Sequence, residues 1–399
     1  MLQAATLPPV SVASRAATPR VQAIDVVRGL AMVIMALDHI RDFWSPTAVR
    51  PDDMAHASAA LFFTRWITHF CAPTFLFLAG ASVFLYQQKQ PRLSRVSWFL
   101  LTRGLWLVLL EIVVMNFLLQ WGTYDTILLT VIWALGWSMV LLAGLIWLPR
   151  GLVAALALVV IFGHNALPIV QPVTWATLVP ALLYNSPFLF LLTPKLPMLV
   201  AYAVLPWAAV MAAGYCIGPW FLAPLPMRKR WLRLTGAAAL LLFIALRASN
   251  WYGNPTPWLV QPRGSLYTVL SFLNVTKQPP SLLFLSLTLG VALLLLSVAE
   301  DLPARLRGWL GVFGKVPLFY YLTHFALISA GTFVWTWAAF GQPYNLAFAP
   351  SGVPQPAAYR PGLLRAYAVW VVVVALLYWP CRWYQGYKQR HTHWWLSYL

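Results

Sequence analysis

The chain has 399 residues, of which 61% are hydrophobic and only 9% charged, and it carries a formal net charge of +18. Soluble domains contain about 25% charged residues, so this composition excludes a water-soluble globular protein and points to a polytopic membrane protein. The basic residues fall mainly between apolar runs, which fits topology and anionic lipid and argues against a nucleic-acid partner.

Residues 1–23 contain Arg15 and Arg20 but no apolar core, and read as a disordered cytoplasmic tail. Residues 24–399 read as a single transmembrane domain. A hydrocarbon core about 30 Å thick is crossed by about 20 apolar residues in a helix. Ten runs meet that requirement: 24–44, 61–86, 98–120, 126–148, 152–170, 198–221, 231–249, 281–299, 316–340 and 363–381. The expected fold is therefore an all-α bundle of about ten transmembrane helices.

The stretch 173–193 is apolar but broken by Pro180 and Pro187. Basic residues decide its placement. With a cytoplasmic N-terminus, 15 Lys and Arg fall on the inner connections and tails, against 5 outside: Arg50, Lys195, Arg263, Lys277 and Arg360. An eleventh span would turn Arg228, Lys229 and Arg230 outward, so 173–193 reads as re-entrant or surface-lying, and both termini as cytoplasmic. The outer connections 250–280 and 341–362 are long, and long ordered connections are often functional. Cys71, Cys216 and Cys381 lie in or beside apolar runs and read as free thiols.

The first span, DVVRGLAMVIMALDHIRDFW, is the most informative. At 100° per residue, Asp25, Arg28, Met32, Met35, His39 and Asp42 fall within about 100° of one another, with Asp38 at the edge of the stripe. Arg41 points elsewhere and is expected to snorkel to the outer rim. A charge at the bilayer centre costs at least about 2.5–3.5 kcal/mol, so such groups need partners and mark functional sites. Asp25 and Arg28, three apart at the inner end, are placed to pair. Asp38, His39 and Asp42 lie about 15–20 Å further out.

On the second span, His69 falls at a depth that matches His39. Two imidazoles near a carboxylate suit general acid–base chemistry, since the unperturbed pKa is about 6.5. Glu111 on the third span and His324 on the ninth are further lone intramembrane groups, either functional or structural. Trp251, Tyr252 and Trp258 in the 250–280 connection are placed for an interfacial belt or for stacking on a sugar. Asn274-Val275-Thr276 fits a glycosylation sequon. The tail pattern HTHWW offers only two metal ligands, and neither HExxH, a Cys/His cluster, a Walker loop nor GxGxxG occurs, so no metal or nucleotide site of those kinds is expected.

Several stretches are similar to a known family. IDVVRGLAMVIMALDH resembles the Asp-x-x-Arg-Gly opening span of the heparan-α-glucosaminide N-acetyltransferase family, and THFCAPTFLFLAGAS resembles its second span. LPWAAVMAAGY, SFLNVTKQPPSLLFL and VPLFYYLTHFALIS resemble segments of its bacterial multi-span members. The resemblance runs in order over residues 21–399. It implies a membrane acyltransferase that takes acetyl from cytoplasmic acetyl-CoA and delivers it to an amino sugar on the far side. It places His39 where the family has a catalytic asparagine, and His69 at a second-span aspartate. It matches His56-Ala57-Ser58 to the stretch bearing the catalytic histidine, and His324 to a late-span histidine.

On this reading His39, oriented by Asp38, or His69 deprotonates the acceptor. Asp25, Arg28, Asp42, Glu111, His324, Trp251 and Lys277 contribute to binding of substrate and acyl donor. Arg92, Arg95, Arg228, Lys229 and Arg230 attract the CoA phosphates. The expected partners are membrane lipid, acyl-CoA and a small acceptor, in a bacterial-type inner membrane, with a homodimer left open. The alternative is a proton-coupled transporter that uses the same ionisable groups as a relay.

Overall fold

The computed structural model describes residues 21–121, 124–348 and 355–398. Most of the tail expected over 1–23 lies outside them. The first helix, α1 (Gln22–Trp44), begins where the apolar run begins. It is the central element, packed against α3 (Cys71–Gln87), α12 (Leu282–Val298), α13 (Ala304–Lys315), α14 (Pro317–Phe340) and α15 (Leu363–Arg390).

Among the described residues, six helical stretches are long and apolar enough to cross a membrane: Ala59–Gln87, Leu93–Gln120, Val204–Leu222, Leu225–Ser249, Pro317–Phe340 and Leu363–Arg390. The chain is an integral membrane protein. Three further apolar helices, Val131–Leu145, Arg150–Ala166 and Leu282–Val298, are shorter than the runs that announced them. The first of these is α6, and α7 (Arg150–Gly163) makes up most of the second. Helix α1 has the length to cross but carries too many charged groups to be recognised on hydropathy alone.

Small residues set how the helices meet. A Cβ at Gly29 of α1 would overlap the Leu310 carbonyl of α13, and one at Gly314 would overlap the Asp25 carbonyl. Gly80 and Gly214 join α3 to α9 (Val204–Ile217) in the same way. Without a hydrophobic driving force between helices in lipid, such close backbone approach supplies the packing.

The all-α expectation is corrected by one small sheet. Strand β1 (Ile127–Leu129) runs parallel to β3 (Leu196–Val200), which pairs antiparallel with β2 (Phe188–Thr193), in the order β1-β3-β2. Ile127 opposes Met198, and Phe188 opposes Val200. The strands close a second small core with Ala181 of α8 (Leu178–Tyr184). The stretch 173–193 thus forms a short helix and a strand. Pro180 sits in the first turn of α8, where a missing N–H is tolerated. The starts of two expected spans, at 126 and 198, are strands for the same reason: short β-branched and leucine runs beside turn residues are ambiguous between helix and strand.

Polar groups at the end of Leu93–Gln120 hold this sheet. The helix passes through a π turn at Glu111–Met115 and ends in α5 (Asn116–Gln120). The Asn116 amide donates to Leu128 O at 3.0 Å and its oxygen accepts from Leu128 N at 2.7 Å. Gln120 Nε2 donates to Thr126 O at 2.7 Å.

Candidate functional site

A cavity of about 310 Å³ runs along α1. Arg28, Met32, Met35, Asp38 and His39 form its α1 wall, which spans about 16 Å at 1.5 Å per residue. The predicted polar stripe therefore faces the interior over its central part. The middle of the cavity is apolar, lined by Phe75 and Leu76 of α3, Leu107 of α4 (Leu93–Leu110) and Met139 of α6.

At the α1 N-terminal end the wall is cationic and aromatic. Arg28 Nη2 donates to Ser82 Oγ at 2.8 Å, and its Nη1 lies 3.8 Å from Asp25 Oδ1, as the i,i+3 spacing predicted. Arg103 of α4 lines the same end beside Phe99 and Tyr86, whose rings pack with centroids 4.8 Å apart. Arg103 was missed in the sequence, although the rule that singled out Glu111 applies equally to an arginine inside LLTRGLWLVLL. By contrast, Arg92, Arg95, Arg228, Lys229 and Arg230 do not line this cavity. Arg228 pairs with Glu300, and Lys229 lies 2.5 Å from Asp301.

At the other end the groups are His39, Asp38, Thr68, Tyr202 and Lys277. Asp38 does not orient His39. Its Oδ2 pairs with Arg65 and its Oδ1 lies 3.0 Å from Arg41 Nη2, which also holds Asp42 Oδ1 at 2.6 Å. Arg41 is accordingly buried rather than snorkelling, because two carboxylates in reach compensate it better than the rim would. Asp42 sits beyond the cavity with its side chain half exposed.

His39 is oriented instead by His324 of α14. His324 Nδ1 lies 3.1 Å from the Tyr320 carbonyl, which only accepts, so this nitrogen carries the proton. In the neutral pair His324 Nε2 is then an acceptor, and His39 Nδ1 donates to it at 2.7 Å. The lone pair of His39 is left on Nε2. The ring is further held by stacking on Phe325 at 4.3 Å.

The remaining candidates fall elsewhere. His69 lies on the one-turn link Ile67–Phe70, outside the cavity, with its ring 5.5 Å from that of Phe284. Glu111 Oε1 accepts from Thr130 N at 2.8 Å and so serves the start of α6. Trp251 is 83% exposed and does not line the cavity. His56 is exposed and bonded to Asp53 at 2.7 Å. Asn274 of the sequon spends its side-chain amide on Asp52 O at 3.1 Å.

A sequence model of the heparan-alpha-glucosaminide N-acetyltransferase catalytic region matches residues 20–251, more than half of the chain. The chain belongs to this family. No curated protein matches the chain as a relative. The family match includes α1, α3, α4 and α6, which build most of the cavity wall, and ends before Lys277, Tyr321 and His324. The C-terminal third of the chain thus completes a cavity begun by the matched region.

Proposed function

We propose that the protein is an acyl-CoA-dependent membrane acyltransferase whose reaction takes place inside this cavity. The observation that carries the reading is the single cavity along α1, with two arginines at one end and an imidazole lone pair at the other. Its family is one of membrane acetyltransferases, which favours the enzyme over the proton-coupled transporter. In the proposed topology α1, the six long spans and the three shorter apolar helices give ten crossings, both termini are cytoplasmic, and the membrane is a bacterial inner membrane.

Acetyl-CoA fits the walls in a defined sense. The volume is at the lower end of ordinary ligand sites, about 300–1,000 Å³. It accommodates an acyl-pantetheine arm against Met32, Met35, Phe75 and Leu107, but not a whole CoA. Arg28 and Arg103 then face the phosphates at the mouth, with Tyr86 and Phe99 beside the adenine. Arginine suits this task because its fork pairs phosphate oxygens in two bonds.

At the far end His39 Nε2 accepts the proton of the acceptor amine or hydroxyl. The freed nucleophile attacks the thioester carbonyl, the new C–N or C–O bond forms, and the C–S bond breaks. The CoA thiolate leaves toward the arginine end and takes the proton held by the His39 imidazolium, which restores the base. A positioned base of this kind contributes about 10²–10⁴-fold to the rate.

The test uses purified protein in nanodiscs with labelled acetyl-CoA and a panel of amino sugars. Acylated product with wild type, and a loss of about 10²–10⁴-fold in His39→Ala at unchanged thermal stability, is the expected result. Absence of thioester consumption with every acceptor would sink the reading.

A further inference from the structure

Lys277 is a cation in the cavity with no partner among the described residues to neutralise it. It lies in the connection between α11 (Ser265–Leu273) and α12, and lines the end that holds His39. It makes no hydrogen bond or ion pair among the described residues, and its nearest ring contact is Tyr202 at 5.9 Å. The neighbouring acids are spent: Asp38 on Arg65 and Arg41, and Asp42 on Arg41. That cluster of two carboxylates and two guanidiniums is neutral, so the Lys277 ammonium is one positive charge in excess.

The backbone around Lys277 is fixed from several sides. Thr276 N donates to Asn254 Oδ1 at 2.9 Å and Ser281 N to Thr276 O at 3.0 Å. Leu282 N donates to Asn165 Oδ1 at 2.7 Å, and His164 Nε2 lies 2.7 Å from Pro280 O. The buried Arg247 guanidinium donates to the carbonyl of Asn274 at 2.7 Å, and to those of Phe272, Thr256 and Ser271 at 2.8–2.9 Å. The segment is anchored at its backbone, and the half-buried Lys277 side chain lines the cavity from it. Burial, and then the charge of Arg65, pull its pKa from 10.5 down to about 8. A bound anion offsets both effects by stabilising the charged form.

We propose that Lys277 anchors a carboxylate carried into the cavity by a substrate. The carboxylate is borne either by the acceptor or by the distal end of a dicarboxylic acyl group. With His39 at the same end, an anion on Lys277 sets the remainder of that substrate beside the imidazole. The proposal rests on the acyl-transfer reading and narrows it to one substrate class.

Four substrate pairs separate the sources: acetyl-CoA or succinyl-CoA, each with glucosamine or with muramic acid, which is glucosamine bearing a lactyl carboxylate. Turnover and calorimetric binding are measured for wild type, Lys277→Met and Lys277→Arg. A charged hydrogen bond is worth about 1.5–3 kcal/mol, so wild type should favour one carboxylate-bearing substrate over its neutral counterpart by about tenfold or more in KM. Lys277→Met should abolish that preference, and Lys277→Arg should retain part of it. A preference for muramic acid assigns the carboxylate to the acceptor, and one for succinyl-CoA assigns it to the acyl group. Equal use of neutral and carboxylated substrates, or a preference untouched in Lys277→Met, overturns the proposal. If no pair turns over, acyl transfer fails as a reading, and the binding arm still decides: equal calorimetric affinity of wild type and Lys277→Met for muramic acid and for succinyl-CoA overturns the anchor itself.

Discussion

His39 and His324 illustrate how little separates a base from a bystander. The ring of His39 is useful because the Tyr320 carbonyl fixes the proton on His324, and that fixes the proton on His39. In the proposed reaction His324 is therefore a positioning residue. His324→Phe should lower kcat by about 10²-fold while leaving KM for acyl-CoA unchanged, since the tautomer and not the binding is lost. His324→Gln, whose side-chain oxygen accepts from the same N–H, should restore most of the rate. Steady-state kinetics with ¹⁵N NMR of the imidazoles would check this, and a protonated Nε2 on His39 in wild type would refute it. Lys277 adds a pH prediction. Its charge is faced by Arg65, Asp38, Cys71 and Asp42, with burial the largest influence and Arg65 the next. The ammonium is present below about pH 8 and is lost as pH rises through that value. Affinity for the carboxylate-bearing substrate should fall over that range, while affinity for the neutral one stays flat.

The segments that carry these residues depend on polar clamps that no helical pattern announces. Asn116 has the look of an intramembrane site residue, yet it pairs with both backbone groups of Leu128 and so fixes β1. Asn116→Leu leaves two backbone groups unpaired, each at a cost of about 1–3 kcal/mol. The variant should melt earlier in detergent by fluorescence, with sheet order lost before helix order. An unchanged melting point would show that β1 needs no such clamp. Glu111 falls in the same class. It is buried and ionisable, as functional groups in spans are, and its observed partner is the Thr130 amide. Span patterning located these residues well, because hydropathy reports on burial. It was silent on their roles, because a partner twelve or nineteen residues away leaves no periodic trace.

Across the whole molecule, α1 is both the packing axis and the cavity wall. Its outer neighbours approach through Gly29 and Gly314, where the α1 and α13 backbones nearly touch. Gly29→Val would force these helices apart and tilt the row from Arg28 to His39 away from α3. The expected outcome is polydisperse protein on size exclusion and no turnover. A monodisperse, active Gly29→Val would contradict the packing described here. Helix α13 itself lies in a stretch between two apolar runs and was not anticipated. Its mixed composition, ARLRGWLGVFGK, hides an apolar face that packs chiefly on α1 and also on α15, where Phe313 meets Tyr378.

Composition alone made this a membrane protein, because so few charges cannot solvate so much apolar surface. The angular arithmetic of a helix placed Arg28, Met32, Met35 and His39 on one face, and the first two spans carried the family likeness. Tertiary structure decided which imidazole keeps a free lone pair, which arginines face the cavity, and that Asp38 answers Arg65 and Arg41 instead of His39. The physical reason is the same in each case. A helix periodicity is written in neighbours three and four residues apart, whereas a hydrogen bond between residues 39 and 324, or a cation left over after its neighbours have paired, depends on elements the chain brings together only when it folds.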